Sequence, residues 1–395
     1  MHCLFISSLL PEPEPRTGFE IANAAIVRAY EDAGVRLTKV GFRRPGAPAP
    51  REGEILLGDL VIENAGAGTA RKAGWVLRAL RLGLPVSGAK LRVLSHDRLL
   101  QRLAEAGRFD GVILNSVQMP AAYPVLLRTA PAVFVAHNVE AISARENAGR
   151  AEGRLQRLLF EREARLVGRV ETELCRTACA VHTLTREDAE TLGLGASERA
   201  LPLPLSLGRP PRVDDGRRDH DVGLIGTWSW APNRAGLDWF LDEVVPRLPA
   251  DLSVAIAGQI DGRAPTVPAN VRFLGRVPDA QGFVHAARIL ALPTIAGTGV
   301  QLKTLEMLEE GLPAVATGRA LRGIDGERPA HLTVTDDPQA FAEALIAGVE
   351  ADRAGRSMRG GGADFAARRR QEAREAASRG AALLERAAAT WERDR

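Results

Sequence analysis

Two glycines, a lysine and a glutamate stand close together late in this chain. Gly297-Thr298-Gly299 is followed by Lys303 and Glu306. A glycine turn that opens a helix leaves backbone N–H groups unpaired, and such groups bind anions. Lys303 adds a cation, and a carboxylate a few residues on accepts hydrogen bonds from a diol. Phosphates at the turn and a ribose at the glutamate together suit a nucleotide diphosphate sugar. A spacing of three puts Lys303 and Glu306 on one helix face, where their side chains meet. The plainer alternative is a local salt bridge, which is worth little. The G-x-G is isolated: Leu302 stands where a third glycine would complete a dinucleotide fingerprint, so that fingerprint fails.

The elements that must position these residues alternate. In the first half, strands are predicted at His2–Ser7, Val35–Gly41, Gly111–Leu114, Ala132–Ala136 and Ala180–Leu184. They are compact apolar runs of the kind buried in parallel sheets. Helical spacing marks Phe19–Ala33, Thr69–Leu82 and Asp97–Ala106, and a long charged helical region, read as solvated, runs from Glu140 to Ala178. Glu12–Gly18 and Arg43–Glu54 read as loops. Leu201–Gly216, rich in proline and ending in charge, is the best boundary. Beyond it the alternation repeats: strands at Val222–Gly226, Ser253–Ala257, Val271–Leu274, Ile289–Leu292 and Ala314–Thr317, helices at Leu237–Val245 and Thr304–Glu310. The fold class expected is α/β, with two Rossmann-like doubly wound domains. They span 1–205 and 206–372. A polar helix over 373–395 packs back on the domains.

Composition agrees with such a chain. Its 395 residues suit two domains, and 45% hydrophobic with 26% charged residues is ordinary globular usage. A formal charge of +3 does not predict nucleic-acid binding, and membrane contact is at most peripheral. Cys3, Cys175 and Cys179 show no zinc-ligand spacing and read as free thiols in a reducing cytosol. No apolar run approaches the roughly 20 residues of a bilayer span. Asp219-His220-Asp221 is a D-x-D, but it precedes a strand and reads as linker charge, so no metal is predicted. Trp228 and Trp230, in a loop after a strand, either stack a base or sugar or pack between domains.

At this point the chain resembles glycosyltransferases of the GT-B fold, close to the family 4-like retaining enzymes of bacterial polysaccharide and glycoconjugate synthesis. The matching residues are Gly226, Pro232-Asn233, Trp239-Phe240, Ala257-Gly258 and Phe273-Leu274-Gly275 with Val277. They continue through Gly297, Gly299, Leu302-Lys303, Leu305-Glu306 and Gly311-x-Pro313 to Thr317 and Gly323. In the first half the loop Pro11–Gly18 and His137-Asn138-Val139-Glu140 also fit. The resemblance implies two domains facing across a cleft and a nucleotide-sugar donor held by the second domain. Donor contacts would come from Gly226, Thr227, Trp228, Asn233, Gly258, Gln259, Gly297, Thr298, Gly299, Val300, Lys303 and Glu306. Glu306 matches the second of the family's paired glutamates, which binds ribose, and Thr298 occupies the place of the first. Gly18, Asn138 and Glu140 fall on the acceptor side. His137 and Lys303 are the catalytic candidates, and His137 is equally well a satisfied core histidine.

The reaction implied is sugar transfer from a nucleotide-diphosphate sugar to a hydroxyl of a saccharide, lipid-linked or small-molecule acceptor. Anomeric retention, no metal and no further cofactor are expected, with the enzyme in the cytoplasm. An inverting reaction would make His137 the obvious base. A nucleotide-sugar 2-epimerase and a non-catalytic nucleotide-sugar binder remain as alternatives.

Overall fold

Runs of valine, isoleucine, leucine and phenylalanine form parallel strands because helices cover both faces and leave little polar surface to alternate with. The computed structural model describes residues 1–12, 15, 17–62, 67–149, 151, 153–209, 211–260, 265–326, 328–356 and 358–393. It divides into two units, Met1–Leu205 with Gln371–Arg395, and Ser206–Arg370.

The first unit carries β1 (His2–Leu9), β2 (Arg36–Arg43), β3 (Glu54–Asp59), β4 (Gly111–Asn115), β5 (Ala132–Ala136) and β6 (Ala180–Thr183). Among the described residues they form one parallel sheet in the order β3-β2-β1-β4-β5-β6. β1, β4, β5 and β6 are buried at every position. The second unit carries β7 (His220–Ile225), β8 (Val254–Ala257), β9 (Val271–Gly275), β10 (Ala287–Leu292), β11 (Ala314–Ala316) and β12 (Leu332–Val334). They too are parallel, in the order β12-β11-β10-β7-β8-β9. The two orders are the same doubly wound pattern. In each, the strand order reverses beside the unit's first strand, at β1/β4 and at β7/β10.

Local chemistry sets the helix starts. Thr17 and Glu20 form a capping box at the helix Gly18–Asp32. Thr185 caps Arg186–Thr191, and Asp337 caps Pro338–Arg353 with proline in the first turn.

Several elements differ from the sequence expectation. β3 falls partly inside the stretch read as loop. It is an edge strand whose alternate positions Ile55 and Leu57 are buried, so its apolar signal is half as dense. β12 and the helices Val86–Leu91, Gln118–Ala122, Ala280–His285 and Pro338–Arg353 are also additions. The charged stretch from 140 to 178 is two helices, Glu140–Gly149 and Arg154–Thr177, not one solvated helix. Ala141, Ala144 and Ala148 are the buried residues of the first, Ala164, Val167, Glu171, Leu174 and Cys175 those of the second, and Gly168 brings its helix close enough that an added Cβ would lie 3.3 Å from Ala141 Cβ. The last helix runs from Gly362 to Arg393. Its start belongs to the second unit and its remainder, from Gln371, to the first.

Asp221 is no linker charge. It lies buried in β7 and accepts from Ser253 N at 2.9 Å, Ser253 Oγ at 3.0 Å, Arg353 Nη2 at 3.0 Å and Arg288 Nε at 3.1 Å. Burial raises its carboxyl pKa, but the Ser253 and Arg353 bonds outweigh that and hold it below the usual value. Asp219 pairs with Arg217 on the surface. The expected loop Glu12–Gly18 lies in part outside the described residues, at 13, 14 and 16.

Candidate active site

Ligands of open α/β sheets bind outside the carboxyl ends of the strands where the order reverses. In the second unit, β7 leads there through Gly226–Trp230 into the helix Ala231–Trp239, and β10 leads through residues 293–301 into the helix Leu302–Glu309. The two connections touch. A Cβ on Gly236 would lie 2.0 Å from Pro293 O, so only glycine lets this helix meet that loop. Gly297 and Gly299 take φ of +103° and +73°, which an L side chain rarely adopts. The turn is tethered from below. Arg319 Nη2 donates to Gly297 O at 2.8 Å, and Thr317 Oγ1 donates to Thr294 O at 2.5 Å.

Gln301 makes no side-chain cap bond at the start of Leu302–Glu309; Thr304 N donates to Gln301 O at 3.0 Å, and the positive end of the helix dipole lies at this start. Lys303 stands in that turn. Its Nζ donates to Asn233 Oδ1 at 3.3 Å and lies 5.7 Å from the Trp228 ring centroid. Asn233 Nδ2 in turn donates to Thr227 O at 3.1 Å. Among the described residues no carboxylate pairs with Lys303. Burial therefore acts unopposed and lowers its pKa to about 8.

The expected meeting of Lys303 with Glu306 does not form. Lys303 turns to Asn233, and Glu306 Oε1 accepts from Arg209 Nη1 at 2.5 Å. Burial raises the Glu306 pKa, and Arg209 works against that rise. Trp228 is no exposed stacking platform: it packs in the apolar core of the second unit, and its Nε1 donates to Ala257 O at 2.9 Å. Trp230 is exposed. Gly258, at φ +120°, presses on β7's exit so tightly that a Cβ would lie 1.8 Å from Gly226 O. Gln259 points to solvent, while its backbone O accepts from Trp228 N at 2.9 Å. Thr227 is exposed; Thr298 and Val300 are half-buried beside the turn.

The matching place in the first unit, at β1/β4, holds a polar chain of side chains. His137 Nε2 donates to Asn115 Oδ1 at 2.8 Å, Asn115 Nδ2 donates to Asn23 Oδ1 at 2.7 Å, and Asn23 Nδ2 donates to Ser7 Oγ at 3.2 Å. The chain leaves His137 Nδ1 as an acceptor. Burial lowers the His137 pKa to about 4, so the ring is neutral at pH 7. Phe19 packs on it, with ring centroids 5.0 Å apart. Ser116, after β4, is the one non-glycine residue with positive φ among those described, at +75°. Asn138 Oδ1 and Ser8 Oγ are buried without a hydrogen-bond partner among the described residues. The Glu171 carboxylate accepts from Glu140 N at 2.7 Å and Ala141 N at 3.1 Å. Burial, with Glu171 and Glu163 nearby, pushes the Glu140 carboxyl up to about 7. Gly18 is exposed at the start of its helix.

Residues 219–350 match the family model of glycosyl transferases group 1. A phosphatidyl-myo-inositol mannosyltransferase of Mycobacterium tuberculosis is 29% identical over 301 residues, covering 70% of this chain and 74% of the relative. The chain is a glycosyltransferase. Solved structures agree on its GT-B architecture. Sucrose-phosphate synthase from Thermosynechococcus elongatus superposes with a TM-score of 0.60 at 15% identity, covering 99% of this chain and 97% of that one. HepE of Anabaena, in complex with UDP and glucose, gives 0.55 at 14% identity, covering 99% of both chains.

Sequence reasoning missed five side chains of this glycosyltransferase's candidate site. Arg209 and Arg319 lie 97 and 22 residues from their partners, and nothing local marks them. Ser7, Asn23 and Asn115 had a signal: polar residues at the carboxyl ends of buried strands, or facing them from a helix.

Proposed function

We propose that the second unit of this glycosyltransferase binds a nucleoside diphosphate sugar through its diphosphate, and that the sugar passes to an acceptor hydroxyl with retention and without a metal. The observation that carries this reading is Lys303: a desolvated cation with no carboxylate partner among the described residues, beside an uncapped helix start and a glycine turn. Such a site lacks an anion, and a diphosphate supplies one. The HepE structures, which hold UDP with glucose, support the donor class, and the mycobacterial relative's name supports a lipid-borne acceptor hydroxyl.

As the bond from the anomeric carbon to the phosphate oxygen breaks, the leaving diphosphate gathers negative charge. The turn amides and Lys303 stabilise that charge where it develops. The acceptor oxygen bonds to the anomeric carbon and its proton passes to a phosphate oxygen. Glu306 accepts hydrogen bonds from the ribose hydroxyls. A histidine with a pKa near 4 is a poor base at neutral pH, which supports retention over a His137-driven inversion.

A second reading has one observation behind it. The Glu140 carboxyl, pushed up to about 7, is suitably poised for the base of an inverting transfer. The anomeric coupling constant of the product, read by proton NMR in the presence of a chelator, separates the two. Retention with undiminished rate is expected. An inverted product, or activity abolished by chelation and restored by a divalent cation, overturns the proposal.

A further inference from the structure

Two tryptophans stand two apart after β7, and the fold treats them oppositely. Trp228 is 2% exposed and belongs to the core of the second unit, whereas Trp230 is 49% exposed. The backbone of Trp230 is fixed on both sides: its N donates to Thr227 O at 3.2 Å, and its O accepts from Arg234 N at 3.0 Å. It stands at the cap position of the helix Ala231–Trp239 but makes no side-chain cap bond. Capping therefore does not explain the indole.

The ring leans on the glycine turn. A Cβ on Gly297 would lie 3.6 Å from Trp230 Cη2 and 3.1 Å from Pro232 Cβ. One corner of the six-membered ring thus reaches the turn, and about half of the residue stays open to solvent. Ile295, two residues before Gly297 on the connection that carries the turn, is 41% exposed. Single exposed apolar residues are ordinary. An exposed indole held against an anion-binding turn is a surface that a bound ligand meets.

Covalent connectivity says which part of the ligand meets it. In the donor reading above, on which this inference rests, the turn and Lys303 hold the diphosphate, and Glu306, one helical turn beyond Lys303, holds the ribose. The base is bonded to the ribose, and the sugar is bonded to the diphosphate. A ring against the turn is therefore next to the sugar. We propose that Trp230 is a platform for the donor's sugar, its indole face covering the C–H face of a pyranose while the hydroxyls at the ring's rim stay free for polar groups. The platform makes the sugar, and not only the nucleotide, contribute to donor affinity.

The test is isothermal titration of the intact protein with UDP, GDP and ADP and with UDP-glucose, GDP-mannose and ADP-glucose. Wild type, Trp230→Ala and Trp230→Phe are compared, with circular dichroism confirming the fold of each. Trp230→Ala should bind the preferred diphosphate as the wild type does, and bind the matching nucleotide sugar about tenfold more weakly. Trp230→Phe, which keeps an aromatic face, should recover most of that loss. Two results overturn the platform alone: nucleotide-sugar affinity unchanged in Trp230→Ala while the diphosphate still binds, or a loss as large for the diphosphate as for the nucleotide sugar, which would place the ring on the nucleotide. Wild-type protein that binds none of the three diphosphates overturns the donor reading and the platform with it.

Discussion

A half-buried lysine with no carboxylate partner among the described residues is unusual in a folded protein, because desolvation penalises its charged form. Lys303 tolerates this with a neutral amide at 3.3 Å, and its pKa falls to about 8. The sign follows directly. Below that pH the ammonium is present and attracts phosphate; above it the charge is lost. The kcat/KM for the donor should therefore fall on an alkaline limb centred near pH 8, and Lys303→Arg should move that limb up. Lys303→Ala should lower kcat/KM about thirtyfold, the ~2 kcal/mol of a charge-assisted hydrogen bond. A profile flat to pH 10 in the wild type would remove the phosphate role. The glycine turn and the place of Lys303 at a helix start were legible in the sequence, because both are local spacings. Its partner was not, because Asn233 lies 70 residues away. Trp228 shows the limit from the other side: an aromatic in a glycine-rich loop reads as a platform, yet its ring fills the core behind Gly226 and Gly258.

The helix Leu302–Glu309 does two jobs. Its start faces the glycine turn, while glutamates on and just beyond it hold the chain segment that enters the second unit. Leu207 N donates to Glu309 Oε1 at 2.9 Å, Arg212 N to Glu310 Oε2 at 2.9 Å, and Arg209 Nη1 to Glu306 Oε1. Arg209 favours the ionised form of Glu306 against burial. Arg209→Ala should raise the Glu306 pKa further, so donor KM should climb as pH falls from neutral, more steeply than in the wild type. Equal slopes in KM-versus-pH series for the two proteins would detach Arg209 from donor binding. Between β7 and β8 the constraint is steric. Gly258→Ala forces a Cβ to 1.8 Å from Gly226 O at φ +120°, and a loss on the order of 3 kcal/mol is expected in urea unfolding. A variant as stable as the wild type would mean that these two loops separate easily.

On the scale of the molecule, both sheets follow one rule. Strands buried on both faces announce themselves as unbroken apolar runs, which is why β1, β4, β5, β8 and β10 were legible to within a few residues. Edge strands bury one face or are short, and β3 and β12 were missed for that reason. Helix Pro338–Arg353 carried its cap and its proline in plain view, but alanine and glutamate surround its four buried residues and dilute the period. The repeated order places a reversal point in each unit, and the second unit's reversal point is where the lysine, the turn and the helix start come together. Isothermal titration of the intact protein tests this most directly, using UDP, GDP and ADP, the matching monophosphates, and Lys303→Ala alongside. At least one diphosphate should bind about tenfold tighter than its monophosphate, and Lys303→Ala should abolish that margin. Diphosphates no tighter than monophosphates, or a variant that binds like the wild type, would contradict the account.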